Sequence, residues 1–332
     1  WRNGRKASPG SKGGRWPIGR RNQWQTENKR KGGHKMKRIL LASAVIGVLA
    51  GAAHAVLKAA NRDRGQKPGA PRGEKKAVLV VSFGTSHLDS CEKTIGAIEQ
   101  EIAAAFPDRE VRRAFTSGMI LKKLKNRDGV EIDGVAEALG RLLDGGFTDV
   151  LVQPTHVMNG NEYEDMMREA AGFEGKFNQL RYGAPLLTSS EDYFQLIEAI
   201  REEVFPLLED ELLVYMGHGS DHEANAVYSA LNFMLSQKGI HNVVVGTVEA
   251  YPDLPAVLAI AKQSGKKRIR LMPLMVVAGD HAKNDMAGGE EDSWDTAFRN
   301  AGFEVEAQLK GLGEYAAVRK LYVEHARAAA GE

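Results

Sequence analysis

From Lys76 onward, short apolar runs alternate with amphipathic stretches, and most of the runs close on glycine or proline. Residues 77–83 (AVLVVSF) stop at Gly84, and an unbroken apolar run of this length predicts a strand buried on both faces. Residues 89–105 then place Ile95, Ile98 and Ile102 on one helical face. Strands follow at 111–116 and at 149–153, the second stopped by Pro154, with a helix over 135–143 between them. A long helix is expected over 191–208, behind Ser189-Ser190. The alternation restarts at 212–216 and continues through 243–245 and 269–272. Such alternation predicts an α/β architecture built on parallel sheets.

The restart is also a repeat. Setting Pro154 on Pro273 lays "VLVQPTHVMNGNEYEDM" over "IRLMPLMVVAGDHAKND", so that Gly160 meets Gly279 and Glu162 meets His281. "LVVSFGTSH" at 79 resembles "LVYMGHGSDH" at 213 with one residue inserted, and "RRAFTSGMI" at 112 more weakly matches "VVGTVEAYP" at 244. Three pairs in the same order predict two similar lobes, residues 75–205 and 206–332, each a parallel sheet flanked by helices. A pseudo-twofold axis would relate them, and their strand ends would face one cleft, where open α/β sheets bind ligands.

Charge divides the chain differently. Residues 1–38 hold 13 Lys/Arg against one acid, whereas residues 75–332 hold 27 bases and 40 acids, a net of −13. A body that acidic argues against nucleic acid as a partner. Residues 1–35 read as an upstream or expression-derived tail. Met36 then opens a secretory signal: Lys37-Arg38, an apolar stretch over 39–50, and Ala53-His54-Ala55 as the cleavage site. Residues 36–55 thus predict export to the periplasm without stable membrane insertion, and 56–74 read as a flexible linker. The single cysteine, Cys91, excludes an intrachain disulfide and is expected to pack inside a helix.

The chemistry lies at the strand ends. His218 sits between glycines in "MGHGS", and His281 occupies the matching place in "GDH", with Glu162 as its repeat partner. Two imidazoles and a carboxylate converging on a cleft suit a first-row divalent metal, and imidazoles also take up protons near neutral pH. His156 reads as cleft lining, His222 as a helix cap, and His241 and His325 as surface positions. His87 lies just past the first strand's turn. Tyr163, Met158 and Met275 form either an apolar floor or plain core, and "GGEEDSW" at 288–294 a solvated loop. A GxxxxGK[ST] phosphate loop, HExxH, GxSxG and CxxC are all absent from the sequence, which leaves ATP-driven and standard hydrolase chemistry unsupported.

"VSFGTS", "HVMNGNEYEDM", "MGHGS", "GTVEAYP" and "VAGDHAKNDMAGGEEDSWD" together resemble the class II chelatases of the CbiK type, the anaerobic sirohydrochlorin cobalt chelatases. The resemblance runs from Lys76 to the C-terminus. It implies the two-lobed chelatase superfold and ATP-independent insertion of Co²⁺, or Fe²⁺, into sirohydrochlorin. By motif position it puts the active-site histidines on His218 and His281 and the acidic metal ligand on Glu162. His156, Tyr163, Ser82, Gly84 and Glu249 are expected separately as substrate contacts, and a homo-oligomer is expected because many enzymes of this size are symmetric. The signal segment departs from this picture, because cobalamin synthesis is a cytoplasmic pathway. An exported metal or tetrapyrrole carrier is the rival reading, and a zinc hydrolase with Glu164 as base is a more distant one.

Overall fold

Two four-stranded parallel sheets form the scaffold of the computed structural model, which describes residues 74–332. The tail, the signal segment and all of the linker but Glu74 lie outside the described residues. The first sheet holds β1 (Lys76–Ser82), β2 (Glu110–Phe115), β3 (Asp149–Pro154) and β4 (Gln179–Tyr182) in the order β2-β1-β3-β4. The second holds β5 (Glu211–Gly217), β6 (Val243–Thr247), β7 (Arg268–Pro273) and β8 (Glu304–Ala307) in the order β6-β5-β7-β8. The apolar runs at 77–81 and 212–216 are fully buried because β1 and β5 are interior strands covered on both faces. The edge strands β4 (QLRY) and β8 (EVEA) carry no apolar run, and the alternation did not announce them.

Strand register supports the repeat and corrects its alignment. Val81 stands beside Ala114 and Pro154, and Met216 stands beside Gly246 and Pro273. Pro154 therefore matches Pro273, and the weak pair at 112 and 244 is in register as aligned. The first pair is not: Val81 is the mate of Met216, so Ser82 falls on Gly217, Phe83 on His218, Gly84 on Gly219 and His87 on His222, with no insertion. Backbone hydrogen bonds agree. Thr116 N–H donates to Ser82 as Val248 N–H does to Gly217, and Ser117 donates to Phe83 as Glu249 does to His218. Gly84 and Gly219 share the left-handed conformation, at φ +97° and +86°. Matching Leu-Val letters had pulled the alignment one residue out of the hydrogen-bonded register.

Helices fill the space between and outside the sheets. These are α1 (Leu88–Cys91, through a π-turn at Glu92–Gly96, to Ala97–Ala105), α2 (Gly118–Asp128), α3 (Val135–Asp144), α4 (Asn161–Ala171) and α5 (Ser190–Val204). The second half adds α6 (Ala226–Gln237), α7 (Leu254–Gln263), α8 (Trp294–Asn300) and α9 (Ala316–Ala330). Ser189 and Asp192 cap α5 reciprocally, and the helix ends at Val204, short of the expected 208, because Pro206 cannot continue it. Among the described residues no helix is long and apolar enough to cross a membrane.

One core joins the halves. Val78 and Val80 of β1 share it with Leu213 and Tyr215 of β5, and α1, α5, α6 and α9 lie within it. The last helix of each half crosses over. α9 packs on β3 and β4, with the Ala330 carbonyl held by Arg181, while α5 packs on α6 and its Val204 carbonyl accepts from Arg270 of β7. A boundary at 205/206 thus separates the sheets but not the helices. The exchange also corrects His325: α9 carries it into the first lobe, where its ring bonds Asp192 (3.1 Å) and the Ala184 carbonyl (3.1 Å) instead of solvent.

Candidate active site

Three strand tips of the second sheet converge. His218 follows β5 between two glycines, and both are required. A β-carbon on Gly217 would be driven into the Tyr228 ring, and one on Gly219 would stand 2.8 Å from the Ala250 nitrogen in a backbone that L-residues disfavour. Glu249 lies in the loop after β6, whose backbone is laced to β5 by Glu249 N–H donating to the His218 carbonyl at 2.9 Å. His281 begins the helical π-turn Ala282–Met286 after β7, which brings Asp285 around to it one turn later.

Hydrogen bonds set the tautomers. His218 Nδ1 donates to the Gly219 carbonyl at 2.8 Å, and His281 Nδ1 donates to Asp285 Oδ2 at 2.7 Å. Both leave Nε2 with its lone pair free, the arrangement in which a second partner orients a metal-binding imidazole. The two rings meet edge to face at 4.7 Å, and one ligand atom each from His218, Glu249 and His281 lies within 4.8 Å of the others. Their side chains are 42%, 53% and 36% exposed in that order, so an ion bound there keeps open positions.

The expected site residues separate into two walls. His218 and His281 come together as expected, with Glu249 rather than Glu162 as the adjacent carboxylate. The mates of the three are Phe83, Ser117 and Glu162, so Glu162 belongs to the opposite wall. It is half-buried in the first turn of α4 and adds to the upward shift that burial gives the Tyr228 hydroxyl. Glu249, expected as a substrate contact, stands instead beside the two histidines, a place legible in the third repeat pair, which sets it at the remaining strand tip; Asp285 was legible from its spacing of four after His281.

The other contacts are mostly interior. His156 is 9% exposed, neither ring nitrogen has a partner among the described residues, and burial lowers its pKa to about 4. Tyr163 is buried with its hydroxyl pushed up to about 12 by desolvation. Ser82 is buried and accepts from Thr155 Oγ1 at 2.8 Å, while Gly84 leaves room for the Phe115 ring, 2.5 Å from where a β-carbon would sit. Met158 and Met275 pack against the two cores. Cys91 is buried as expected, His241 is exposed, and the carboxylates at 290–292 face solvent. His222 caps the 3₁₀ turn Glu223–Asn225 through Nδ1 and turns Nε2 to Glu164 across the cleft.

A two-lobed α/β cleft with an open nitrogen–nitrogen–oxygen donor set describes a metal-handling enzyme, and comparison with known proteins specifies the class. The fold resembles that of SirB from Bacillus subtilis with Fe³⁺, at a TM-score of 0.53 and 14% identity over 77% of this chain and 96% of that one. A second SirB structure, a sirohydrochlorin chelatase in complex with cobalt, gives 0.51 at 14% identity over the same shares of each chain. Residues 76–331 match the cobalt chelatase (CbiK) family, and the chain belongs to it. It is 46% identical over 251 residues to the sirohydrochlorin cobaltochelatase of Salmonella typhimurium, covering 76% of this chain and 95% of that protein. It is 32% identical over 258 residues to a sirohydrochlorin cobaltochelatase of Nitratidesulfovibrio vulgaris, covering 77% and 90%.

Proposed function

We propose that the protein inserts Co²⁺, or Fe²⁺ as a second metal substrate, into sirohydrochlorin in the cleft between its lobes, without a nucleotide. The observation that carries this is the open His218–Glu249–His281 group at the strand tips of the second sheet. The family and the names of its curated relatives support the same reading.

The geometry supports this reading. Insertion needs an ion stripped of some of its water yet held weakly enough to leave, and two imidazoles with one exposed carboxylate provide that. The ring must give up two pyrrole protons as the ion enters. His218 and His281 each have one uncommitted nitrogen, Nε2. As the ion passes from these lone pairs to the ring nitrogens, the same lone pairs become available as bases. Gly219 and Asp285 keep both rings aimed during the exchange. Phe83, the mate of His218, is 44% exposed at the facing strand tip and offers an aromatic surface to the flat substrate.

The test is anaerobic absorbance of sirohydrochlorin with Co²⁺ or Fe²⁺, using the wild type, His218→Ala and Glu249→Ala. Insertion well above the uncatalysed rate, lost in both variants, is expected. Tight binding of ring and metal with no acceleration would leave a carrier in place of an enzyme. Residues 36–55 further support export of the protein, which cell fractionation of the full chain would check.

A further inference from the structure

Histidines clasp the cleft at both ends, and the two clasps are repeat mates. At one end His222 Nε2 donates to Glu164 at 3.3 Å, and the Asn161 amide donates to Asp221 at 3.2 Å. At the other, His87 Nε2 donates to Asp280 Oδ1 at 2.7 Å while Lys283 Nζ donates to His87 Nδ1 at 3.2 Å. The register that pairs His87 with His222 also sets Asp280 on Asn161 and Lys283 on Glu164. The positions are conserved between the ends but the charges are not. The second clasp adds Lys123 of α2, whose Nζ lies 3.6 Å from Asp280 Oδ2, so the carboxylate is held by one cationic side chain and by the His87 ring, with Lys283 behind that ring.

That carboxylate is not locked in. The Asp280 side chain is 54% exposed and that of Lys123 42%, so one carboxylate can replace another there with little desolvation. The body's net charge of −13 repels an anionic ring, which makes a local basic receptor decisive for seating it. We propose that His87 and Lys123 form a receptor for one carboxylate arm of the tetrapyrrole, and that Asp280 fills it as an internal stand-in until the substrate displaces it. The proposal rests on the reading of the cleft as a sirohydrochlorin site and adds which residues read the ring's acidic arms. Asp280 precedes His281, so its release also couples arrival of the ring to a loop bearing a metal-binding residue.

The experiment is equilibrium binding of metal-free sirohydrochlorin, followed by quenching of its fluorescence on the full chain, which requires no turnover. Lys123→Met should weaken binding about two- to fivefold, the range of an exposed charge pair, and Asp280→Asn should tighten it by a similar factor. Co²⁺ binding in the absence of ring, measured by calorimetry, should be unchanged in Lys123→Met. Opposite signs are the signature of a competitor carboxylate. If the pair is only a strut between lobes, both variants shift affinity the same way or not at all, and the proposal falls. If the wild type itself binds no ring, the sirohydrochlorin reading fails and takes the receptor with it. If the wild type binds and turns over but Lys123→Met matches it, only the receptor fails.

Discussion

His156 makes the protein acid-sensitive in a way that one substitution isolates. Its imidazole is buried, unpartnered among the described residues, and lowered by desolvation from the usual 6.5 to about 4. Between those values the unfolded chain binds a proton that the folded protein refuses, so stability rises with pH through this window. The contribution is complete above 6.5 and is lost as the pH falls toward 4. From about pH 7.5 to 4.5 the loss from this group alone is ~2.5 kcal/mol, the linkage integral over a shift of that size. His156→Leu has similar volume and nothing to protonate. At neutral pH it should be as stable as the wild type or more so, because an unpaired buried polar group costs about 1–3 kcal/mol. Urea denaturation of both proteins across this pH range measures the difference. The leucine variant should lose ~2.5 kcal/mol less on acidification. Parallel pH profiles would mean that the folded protein accepts a proton on His156, and the desolvation argument would be wrong.

Two further outcomes follow from contacts described above. Asp285→Ala frees the His281 ring from its partner on Nδ1 and should weaken Co²⁺ binding about tenfold or more by calorimetry; an unchanged affinity would show that Asp285 does not aim the ligand. Asp149 holds Arg109 at 2.9 Å and Arg181 at 2.8 Å, with the Asp149 and Arg109 side chains 5% and 6% exposed, so Asp149→Ala strands buried guanidinium charge. A loss of about 3–5 kcal/mol is expected in urea denaturation, and a loss below about 1 kcal/mol would show that the pair is solvated.

The parts of the fold that announce themselves in sequence are those where burial dictates residue type over a run. β1 and β5 need apolar side chains on both faces, and the sharp turns after them need glycine, so strands and strand tips were legible. His218 and His281 were legible for the same reason, since they follow such strands. What tertiary packing decides was not. Nothing local in α9 says that it crosses to the first sheet, so His325 looked like a surface residue although it bonds Asp192. The choice between Glu162 and Glu249 depended on which wall each carboxylate belongs to. Only the hydrogen-bonded register supplies that, and a single-residue slip hid that Phe83 is the mate of His218.

Among the described residues the candidate metal donors His218, Glu249 and His281 all stand at the strand tips of the second sheet, which makes the two sides of the site unlike. A flat ring seated between the lobes would meet the ion on a single face, while its other face rests toward Phe83 and Glu162. The faces of an asymmetric macrocycle are stereochemically distinct, so a donor set on one side alone would present the ion differently to the ring and to its flipped form.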